Sequence, residues 1–234
     1  ATQGVPELRQ ALASRYGVEM RNIQITTSSQ QGIDVCARIM LDPGDIVLTS
    51  SPTYLGALQS FKSYRAEIVA LSGFRDGDCG VDASVLDKAK FCYVIPDFQN
   101  PGGTTMTLEE RMELCRLAQK HNFIIVEDSP YRELRYSGES VPTIWSLCPE
   151  RTLHLGSFSK IFAPGFRLGW IFGPEELLDQ IYVCKQSLDL CPPVFDQYVA
   201  AEFLSSGALD KNLVGSISLY REKRDLMLSL LERY

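Results

Sequence analysis

The stretch T-L-E-E-R-M-E-L-C-R-L-A-Q-K-H-N-F-I-I-V-E-D-S-P, Thr107–Pro130, contains the pattern that predicts the fold. Thr107 and Glu110 have the spacing of a capping box, which predicts that a helix begins here. Phe123–Val126 is a fully apolar run, typical of a strand that is buried on both faces of a sheet. Polar residues follow this strand directly, starting with Glu127. A helix, a buried strand and a polar loop form the repeating unit of a parallel α/β fold.

Helix and strand patterns alternate in the same way along the rest of the chain. Apolar or alternating segments predict further strands over Asn22–Thr26, Ile46–Leu48, Glu67–Leu71, Phe91–Ile95, Thr152–Leu155 and Leu168–Phe172. Helical spacing predicts helices over Pro6–Tyr16, Gln30–Leu41, from after Tyr54 to about Tyr64, and from Thr107 to about His121. From Pro174 onward the pattern is helical with short breaks, and Asp210–Tyr234 is expected to form one long helix. Strands that alternate with helices need crossover connections, so we expect a three-layer α/β/α domain with a mostly parallel sheet.

Composition and charge argue against several classes of function. The net charge of −6 disfavours non-specific binding of nucleic acid by this segment, which needs a surplus of lysine and arginine. No apolar run approaches the roughly 20 residues of a membrane span. The seven cysteines include no C-x-x-C pair, which favours free thiols in a reducing cytoplasm over a metal site. We therefore expect a cytoplasmic protein without a metal centre.

A candidate nucleophile lies in the segment G-S-F-S-K, Gly156–Lys160, directly after the predicted strand Thr152–Leu155. An isolated lysine after a strand is usually a surface charge. Here Ser157 and Ser159 offer hydroxyl groups, and Arg167 follows before the next strand. A lysine amine forms an imine with an aldehyde, while hydroxyls and a guanidinium bind phosphate. The combination suits an aldehyde that carries a phosphate group.

The segment E-D-S-P-Y, Glu127–Tyr131, also begins where a predicted strand ends. An aspartate turn with a proline is the common structural explanation of such a segment. The functional alternative is that Asp128 holds a protonated ring nitrogen of a cofactor and Tyr131 reaches its phenolic oxygen. A carboxylate at this position would keep such a ring charged and electron-withdrawing.

Three weaker polar segments follow other strands. Asn100–Gly103 (N-P-G-G) is either a simple turn or the source of a side-chain donor to a ring oxygen. Thr26–Gln31 (T-T-S-S-Q-Q) is either an ordinary helix cap or a phosphate cradle at a helix N-terminus. Tyr54 in Pro52–Tyr54 either packs in the core or stacks on an aromatic cofactor. Because ligands bind beyond the carboxyl ends of parallel strands, we expect all five segments to meet at one edge of the sheet.

The order of these motifs resembles the class I and II aminotransferases of fold-type I, which depend on pyridoxal phosphate (PLP). The resemblance is strongest to the branch that contains 2-aminoadipate, aromatic and branched-chain transaminases. It rests on T-T-S-S-Q-Q, S-P-T-Y-L-G-A-L, N-P-G-G, E-D-S-P-Y-x-E-L-R-Y and, most specifically, G-S-F-S-K-x-x-A-P-G-F-R-L-G-W. It implies a homodimer that transfers an amino group between an amino acid and a 2-oxo acid.

The resemblance also implies a role for each candidate residue. Lys160 would hold PLP as a Schiff base and then move a proton between the substrate and the cofactor. Asp128 would pair with the pyridinium nitrogen, and Tyr54 would stack on the ring. Asn100 and Tyr131 would bond its phenolic oxygen. The phosphate would be held by Ser29, the backbone of Gln30, Ser157 and Arg167, with Ser159 as a further donor.

The sequence departs from the family in two respects. Ser28 stands where relatives often carry glycine, which we expect to restrict the backbone without removing the cradle. The chain starts at Ala1 and stops in a helical pattern. We therefore predict that residues 1–209 form the PLP-binding large domain and that 210–234 begin a helix leading to a small C-terminal domain outside this sequence. Such a chain is expected to bind PLP weakly and to turn over poorly.

Two alternatives to an aminotransferase remain open from sequence. The chain could be the PLP-binding effector domain of a MocR-type transcription regulator, which resembles an aminotransferase behind a DNA-binding domain. It could also catalyse another PLP reaction, such as β-elimination or decarboxylation, because the cofactor site is shared. A dinucleotide-binding domain is disfavoured, since no G-x-G-x-x-G follows the first strand.

Overall fold

The structure is a computed structural model that describes residues 2–73 and 79–233. At its centre lies a seven-stranded sheet with the spatial order β1-β7-β6-β5-β4-β2-β3. Strands β2 to β6 run parallel, whereas β7 is antiparallel to both of its neighbours, β6 and β1. The mostly parallel sheet is therefore confirmed. The strands are β1 (Ile23–Thr26), β2 (Ile46–Ser50), β3 (Glu67–Leu71), β4 (Ala89–Val94), β5 (Ile124–Asp128), β6 (Thr152–Ser157) and β7 (Gly169–Phe172).

Helices cover both faces of the sheet and give the expected three layers. One face packs against α2, α3 and α7, and the other packs against α5 and α6 at one end and α1, α8 and α9 at the other. The helices are α1 (Pro6–Tyr16), α2 (Ser28–Met40), α3 (Leu55–Ser63), α4 (Ala83–Leu86), α5 (Leu108–His121), α6 (Ile144–Leu147), α7 (Glu175–Leu188), α8 (Val194–Ser205) and α9 (Ala208–Arg233). None of the described helices is long and apolar enough to cross a membrane.

The predicted elements agree closely with the observed ones. Thr107 caps α5 through the predicted box, since its hydroxyl accepts from the backbone of Glu110 while the Glu110 carboxylate accepts from the backbone of Thr107. The long C-terminal helix is present as α9, although Tyr234 lies outside the described residues. The sequence did not predict α4 and α6, because four-residue helices are too short to show a helical period.

Three strands continue two residues beyond their predicted ends, to Ser50, Asp128 and Ser157. The polar side chains at these ends suggested loops. Strand pairing uses backbone groups, however, so a polar side chain can remain in the ladder where it faces a site. Asp128 and Ser157 therefore occupy fixed strand positions, which restricts where their side chains can point.

The strand directions bring the polar segments to one edge of the sheet. The carboxyl ends of β2, β4, β5 and β6 share this edge because the four strands are parallel. The carboxyl end of β1 lies there too, since β1 is antiparallel to β7 and β7 is antiparallel to β6. The same reversal places the amino end of β7, and Arg167 just before it, at this edge.

Candidate active site

All ten predicted site residues line one cavity of about 270 Å³ at this edge of the sheet. Three residues that were not predicted for the site line it as well, namely Ser28, Ile95 and Pro130. The predicted members are Ser29, Gln30, Tyr54, Asn100, Asp128, Tyr131, Ser157, Ser159, Lys160 and Arg167. We call this space the cofactor cavity. No described group of histidine, cysteine, aspartate and glutamate side chains is arranged to hold a metal ion.

Asp128 presents a free carboxylate oxygen in this lining. The side chain is buried at the end of β5, and its Oδ2 accepts a hydrogen bond of 2.7 Å from the Tyr93 hydroxyl. Its Oδ1 is buried and has no hydrogen-bond partner among the described residues. Burial raises the pKa of Asp128 to about 6, although the Tyr93 hydroxyl and the nearby His154 oppose the rise. A cationic N–H group is the partner that such an oxygen lacks, so Asp128 fits a protonated pyridine ring.

The two predicted ligands of a phenolic ring oxygen lie side by side. The Asn100 side chain, in the loop after β4, lies close enough to the hydroxyl of Tyr131, in the segment after β5, to oppose a rise in the pKa of Tyr131. Burial and then the charge of Asp128 raise the pKa of Tyr131 above its ordinary value of 10.0, so the hydroxyl stays protonated near neutral pH and can donate. The Lys160 ammonium lies 5.9 Å from the centre of the Tyr131 ring, and its side chain is exposed.

The residues predicted to bind phosphate are linked to one another by hydrogen bonds in the same lining. One Arg167 guanidinium nitrogen donates to the Ser28 hydroxyl at 2.8 Å, and the other donates to the Ser159 hydroxyl at 3.4 Å. The backbone N–H of Ser159 donates to the Ser157 hydroxyl at 3.2 Å. The N-terminus of α2, which begins at Ser28, supplies free backbone N–H groups beside them. Hydroxyls, a guanidinium and a helix N-terminus together match the chemistry of a phosphate group.

The backbone at Ser28 is restricted, as the sequence analysis predicted. Its φ is +64°, in the left-handed region that side chains with a Cβ rarely adopt. Gly169 packs against the same turn, and a Cβ on it would lie 2.6 Å from the Ser28 carbonyl carbon. The expected restriction of the backbone is therefore real, but the serine hydroxyl gains Arg167 as a partner.

Tyr54 closes the cavity from the side of α3. Its hydroxyl donates to Oε1 of Gln30 at 3.1 Å, which ties the loop after β2 to the first turn of α2. Gly56 makes room for this ring, because a Cβ there would lie 2.6 Å from the Tyr54 ring. The geometry agrees with a ring available for stacking, and the stacking role stays a prediction.

Sequence reasoning missed Tyr93, the partner of Asp128. Tyr93 is fully buried in β4 and faces the same side of the sheet as Phe91. The available signal was a single hydroxyl in the otherwise apolar run Phe91–Ile95. Burial and the adjacent Asp128 raise the pKa of Tyr93 well above its ordinary value, so this hydroxyl remains a donor to Asp128.

Glu127 belongs to the motif but points away from the cavity. Its carboxylate accepts hydrogen bonds from the backbone N–H groups of Ile144 (3.0 Å) and Trp145 (2.9 Å) at the start of α6. It also lies 3.0 Å from Nδ1 of His154. Successive side chains of a strand face opposite sides, so Glu127 anchors α6 while Asp128 faces the site.

A third buried carboxylate, that of Asp97, connects the loops that carry Asn100 and Tyr131. Asp97 is fully buried and accepts from the guanidinium groups of Arg111 (3.0 Å), Arg132 (3.0 Å) and Arg135 (2.9 Å). Burial opposes ionisation of Asp97, but Arg111 and Arg132 outweigh it and lower the pKa. One ion cluster thus holds both loops in place.

Comparison with known families gives one match over almost the entire chain. The family profile described as "Aminotransferase class I and II" matches residues 1–233. An aromatic-amino-acid aminotransferase of Thermococcus litoralis is 42% identical over all of this chain and 60% of its own length.

Solved structures agree with the sequence match. A multiple substrate aminotransferase of Thermococcus profundus superposes with a TM-score of 0.91 at 40% identity, covering all of this chain and 62% of its own. LysN, an α-aminoadipate aminotransferase of Thermus thermophilus complexed with N-(5'-phosphopyridoxyl)-L-leucine, gives 0.91 at 33% identity, covering 99% of this chain and 61% of its own. The chain thus spans about 60% of the length of these relatives.

Transcription regulators are among the relatives too. A probable rhizopine catabolism regulatory protein, MocR of Rhizobium meliloti, is 30% identical over 99% of this chain and 48% of its own length. The regulator alternative therefore has a relative, at lower identity than the aminotransferases named above.

Proposed function

The chain belongs to the class I and II aminotransferase family, and on that premise we propose that the protein is a PLP-dependent aminotransferase. Its reaction moves an amino group between an amino acid and a 2-oxo acid. The observation that carries the proposal is the free, buried Oδ1 of Asp128, a residue that lines the same cavity as Lys160 and the residues predicted to bind phosphate. A cavity with an acceptor for a ring N–H, a lysine amine and donors for phosphate matches the three distinctive groups of PLP.

Bound PLP withdraws electrons from the α-carbon of an amino acid through its protonated ring. Asp128 keeps that ring protonated by accepting from its N–H. Asn100 and Tyr131 would hold its phenolic oxygen. Arg167 and the hydroxyls beside it bind the phosphate and prevent the cofactor from turning. These roles are supported by the convergence of all five segments on one cavity.

Lys160 is proposed to act in two ways. Its amine would hold the cofactor covalently and would be released when a substrate amine takes its place. The released amine would then take the proton from the α-carbon of the substrate and later return it. The exposed position of Lys160 supports this, because the amine must swing between two positions.

We further propose a cytoplasmic homodimer whose residues 1–209 form the large domain. Support for the dimer comes from the apolar side chains that α7, α8 and the turn between them expose, namely Val183, Leu190, Val194 and Phe195. A second copy of the chain would cover them. All seven cysteines are free, which supports a reducing compartment. Exposed Leu226, Met227 and Leu231 on α9 support a further domain next to that helix.

The decisive experiment is the visible spectrum of the PLP-loaded protein, in the length that its gene encodes, before and after addition of a panel of amino acids. We expect an absorption band of lysine-bound cofactor that one or more amino acids convert to that of pyridoxamine phosphate. A band that no amino acid changes would favour the regulator and would call for a DNA-binding assay. The absence of any band would contradict the assignment of Lys160.

Lys160→Ala provides the matched variant. It should abolish the visible band of lysine-bound cofactor while calorimetry still detects binding of pyridoxamine phosphate, because the phosphate donors remain. Lys211→Ala removes another exposed lysine, on α9, and should leave the spectrum unchanged. A Lys160→Ala protein with an unaltered band would show that a different amine binds the cofactor.

A further inference from the structure

Four side chains form a hydrogen-bonded network beside the start of α2. Thr27 and Gln31 belong to the segment that leads into this helix, whereas Lys185 and Asp189 lie at the end of α7. The described lining of the cofactor cavity includes none of the four. We infer that Lys185 and Asp189 position the start of α2 for the phosphate group of the cofactor, by drawing the Thr27 hydroxyl away from the helix N-terminus. This inference rests on the proposed function, because it concerns the phosphate end of the same site.

Asp189 is the centre of the network. Its Oδ2 accepts hydrogen bonds from the Thr27 hydroxyl at 2.6 Å and from Nε2 of Gln31 at 2.8 Å. Its Oδ1 accepts from Nζ of Lys185 at 2.6 Å. Burial opposes ionisation of Asp189, but these hydrogen bonds outweigh it and lower the pKa. Asp189 is therefore a charged acceptor near neutral pH.

Lys185 ties the network to the backbone of the segment before α2. Its side chain is fully buried, and Nζ donates to Oε1 of Gln31 at 2.7 Å as well as to Asp189. The same Gln31 oxygen accepts from the backbone N–H of Thr27 at 2.8 Å. The network thus holds both the backbone and the hydroxyl of Thr27, through a carboxylate 162 positions away in sequence.

The position of Thr27 shows what this arrangement does. Thr27 directly precedes α2, where a threonine normally caps a helix by accepting from the backbone N–H of the second or third helical residue. Those residues are Ser29 and Gln30, which the sequence predicted to bind phosphate. In the described structure the Thr27 hydroxyl does not cap the helix and donates to Asp189 instead. The pair on α7 therefore prevents a side chain of the protein from taking the place of the phosphate.

The turn into α2 also has to be held in an unfavourable conformation. Ser28 has a φ of +64°, which residues with a Cβ rarely adopt. The Thr26 hydroxyl donates to the Ser28 carbonyl oxygen at 2.9 Å, and the network holds the intervening Thr27. Fixing this turn sets the direction in which the first N–H groups of α2 point.

The phosphate group provides the test, because pyridoxal is PLP without its phosphate. Absorbance titrations of the cofactor-free protein, in the length that its gene encodes, measure the affinity for each compound through the band of lysine-bound cofactor. The ratio of the affinity for PLP to that for pyridoxal isolates the contribution of the phosphate site. A change that only loosens the fold lowers both affinities and leaves this ratio unaltered.

Two double variants differ only in the acceptor at position 189. Lys185→Met/Asp189→Ala removes the acceptor, whereas Lys185→Met/Asp189→Asn keeps an amide oxygen for Thr27 and Gln31; neither leaves an unpaired buried charge. The alanine variant should lower the ratio roughly fivefold to tenfold, the scale of one helix cap, and the asparagine variant should retain it. Asp179→Ala, at an exposed position of the same helix, should change neither affinity.

A further substitution tests the role of the hydroxyl. Thr27→Val, added to Lys185→Met/Asp189→Ala, removes the only group at this position that can cap α2 with its side chain. We expect the triple variant to recover most of the lost ratio, because the competing cap is gone. If the ratio stays low, the pair does not act through the Thr27 hydroxyl and the inference is wrong.

Two other outcomes would overturn the inference. An equal loss of affinity for PLP and pyridoxal in Lys185→Met/Asp189→Ala would show that the pair only stabilises the fold. An unchanged ratio in that variant would show that the phosphate site does not depend on the network. The proposed function fails on different evidence, namely a protein in which no band of lysine-bound cofactor forms or no amino acid converts it.

Discussion

Two buried aspartates at the same edge of the sheet, Asp97 and Asp128, have opposite surroundings. Asp97 accepts hydrogen bonds from three guanidinium groups, and its pKa is lowered in spite of burial. Asp128 has one neutral partner, the Tyr93 hydroxyl, and one oxygen with none; burial raises its pKa to about 6. Both side chains are shielded from water, so the difference lies in their partners.

The contrast separates a carboxylate that maintains the structure from one that is kept for a ligand. Saturated pairing around Asp97 stabilises the loops that carry Asn100 and Tyr131. An unsatisfied buried oxygen on Asp128 lowers the stability of the fold. Buried groups of this kind are found mainly at functional sites. Neutralising the two residues should therefore have opposite effects on folding and unequal effects on activity.

The largest expected effect is on turnover in Asp128→Asn. An amide cannot hold the ring N–H as an ionic partner, so the protonated ring is lost and with it the stabilisation of negative charge at the α-carbon. We expect kcat to fall by roughly 10³-fold, equivalent to about 4 kcal/mol, with a much smaller change in PLP affinity. Single-turnover kinetics and a PLP titration measure the two quantities.

Asp97→Asn serves as the matched control for that experiment. It neutralises the other buried aspartate, which does not line the cofactor cavity, and should retain a far larger share of turnover. Comparable kinetic losses in both variants would refute the assignment of Asp128 to the cofactor ring.

The next effect in size is on folding in Asp97→Asn. Neutralising Asp97 leaves the buried Arg111, and with it Arg132 and Arg135, without a counter-charge. Removal of one partner from a buried ion pair costs about 3–5 kcal/mol. Urea denaturation of the protein at pH 7 should show a loss in this range, while Asp179→Asn on the exposed part of α7 should change the free energy of unfolding little. A loss below about 1 kcal/mol would mean that the cluster is not a structural anchor.

The smallest of the three effects is a pH-dependent gain in the free energy of unfolding when Asp128→Asn is made in the cofactor-free protein. The folded-state pKa of Asp128 is raised from 3.8 to about 6, so the folded protein binds this proton more tightly than the unfolded chain does. Its contribution to stability therefore falls as pH rises from about 4 to about 6 and stays low above that window. Asparagine removes this loss, which is at most on the order of 3 kcal/mol.

Urea denaturation of the cofactor-free protein at pH 4.5 and pH 8 checks the sign of this change in stability. The variant should gain stability over the natural protein at pH 8 and lose most of that advantage at pH 4.5. Asp97, with its lowered pKa, behaves oppositely, because its stabilising contribution is present at neutral pH and is lost as pH falls through the folded-state pKa. A variant that is less stable at pH 8 would place Asp128 with Asp97 as a structural carboxylate.

The sequence predicted all seven strands, the long helices and every residue of the ten-member candidate set that lines the cofactor cavity. It could do so because helical and strand periods, caps and turn residues are local signals, and because parallel strands place their following loops at one edge. The roles proposed for those residues follow from the resemblance to the aminotransferases.

The tertiary structure decided which polar groups meet. Arg167 reaches Ser28 across 139 positions of sequence, through a strand that runs against its neighbours. Glu127 and Asp128 are adjacent in sequence yet face opposite sides of the sheet, and only packing shows that Asp128 faces the cavity with one oxygen free. Asp97 gave no sequence signal, because its three arginines come from α5 and from the segment after β5. Local sequence thus determined the elements and their candidate residues. Long-range packing determined the partners, and with them which carboxylate holds the structure and which one is free for a ligand.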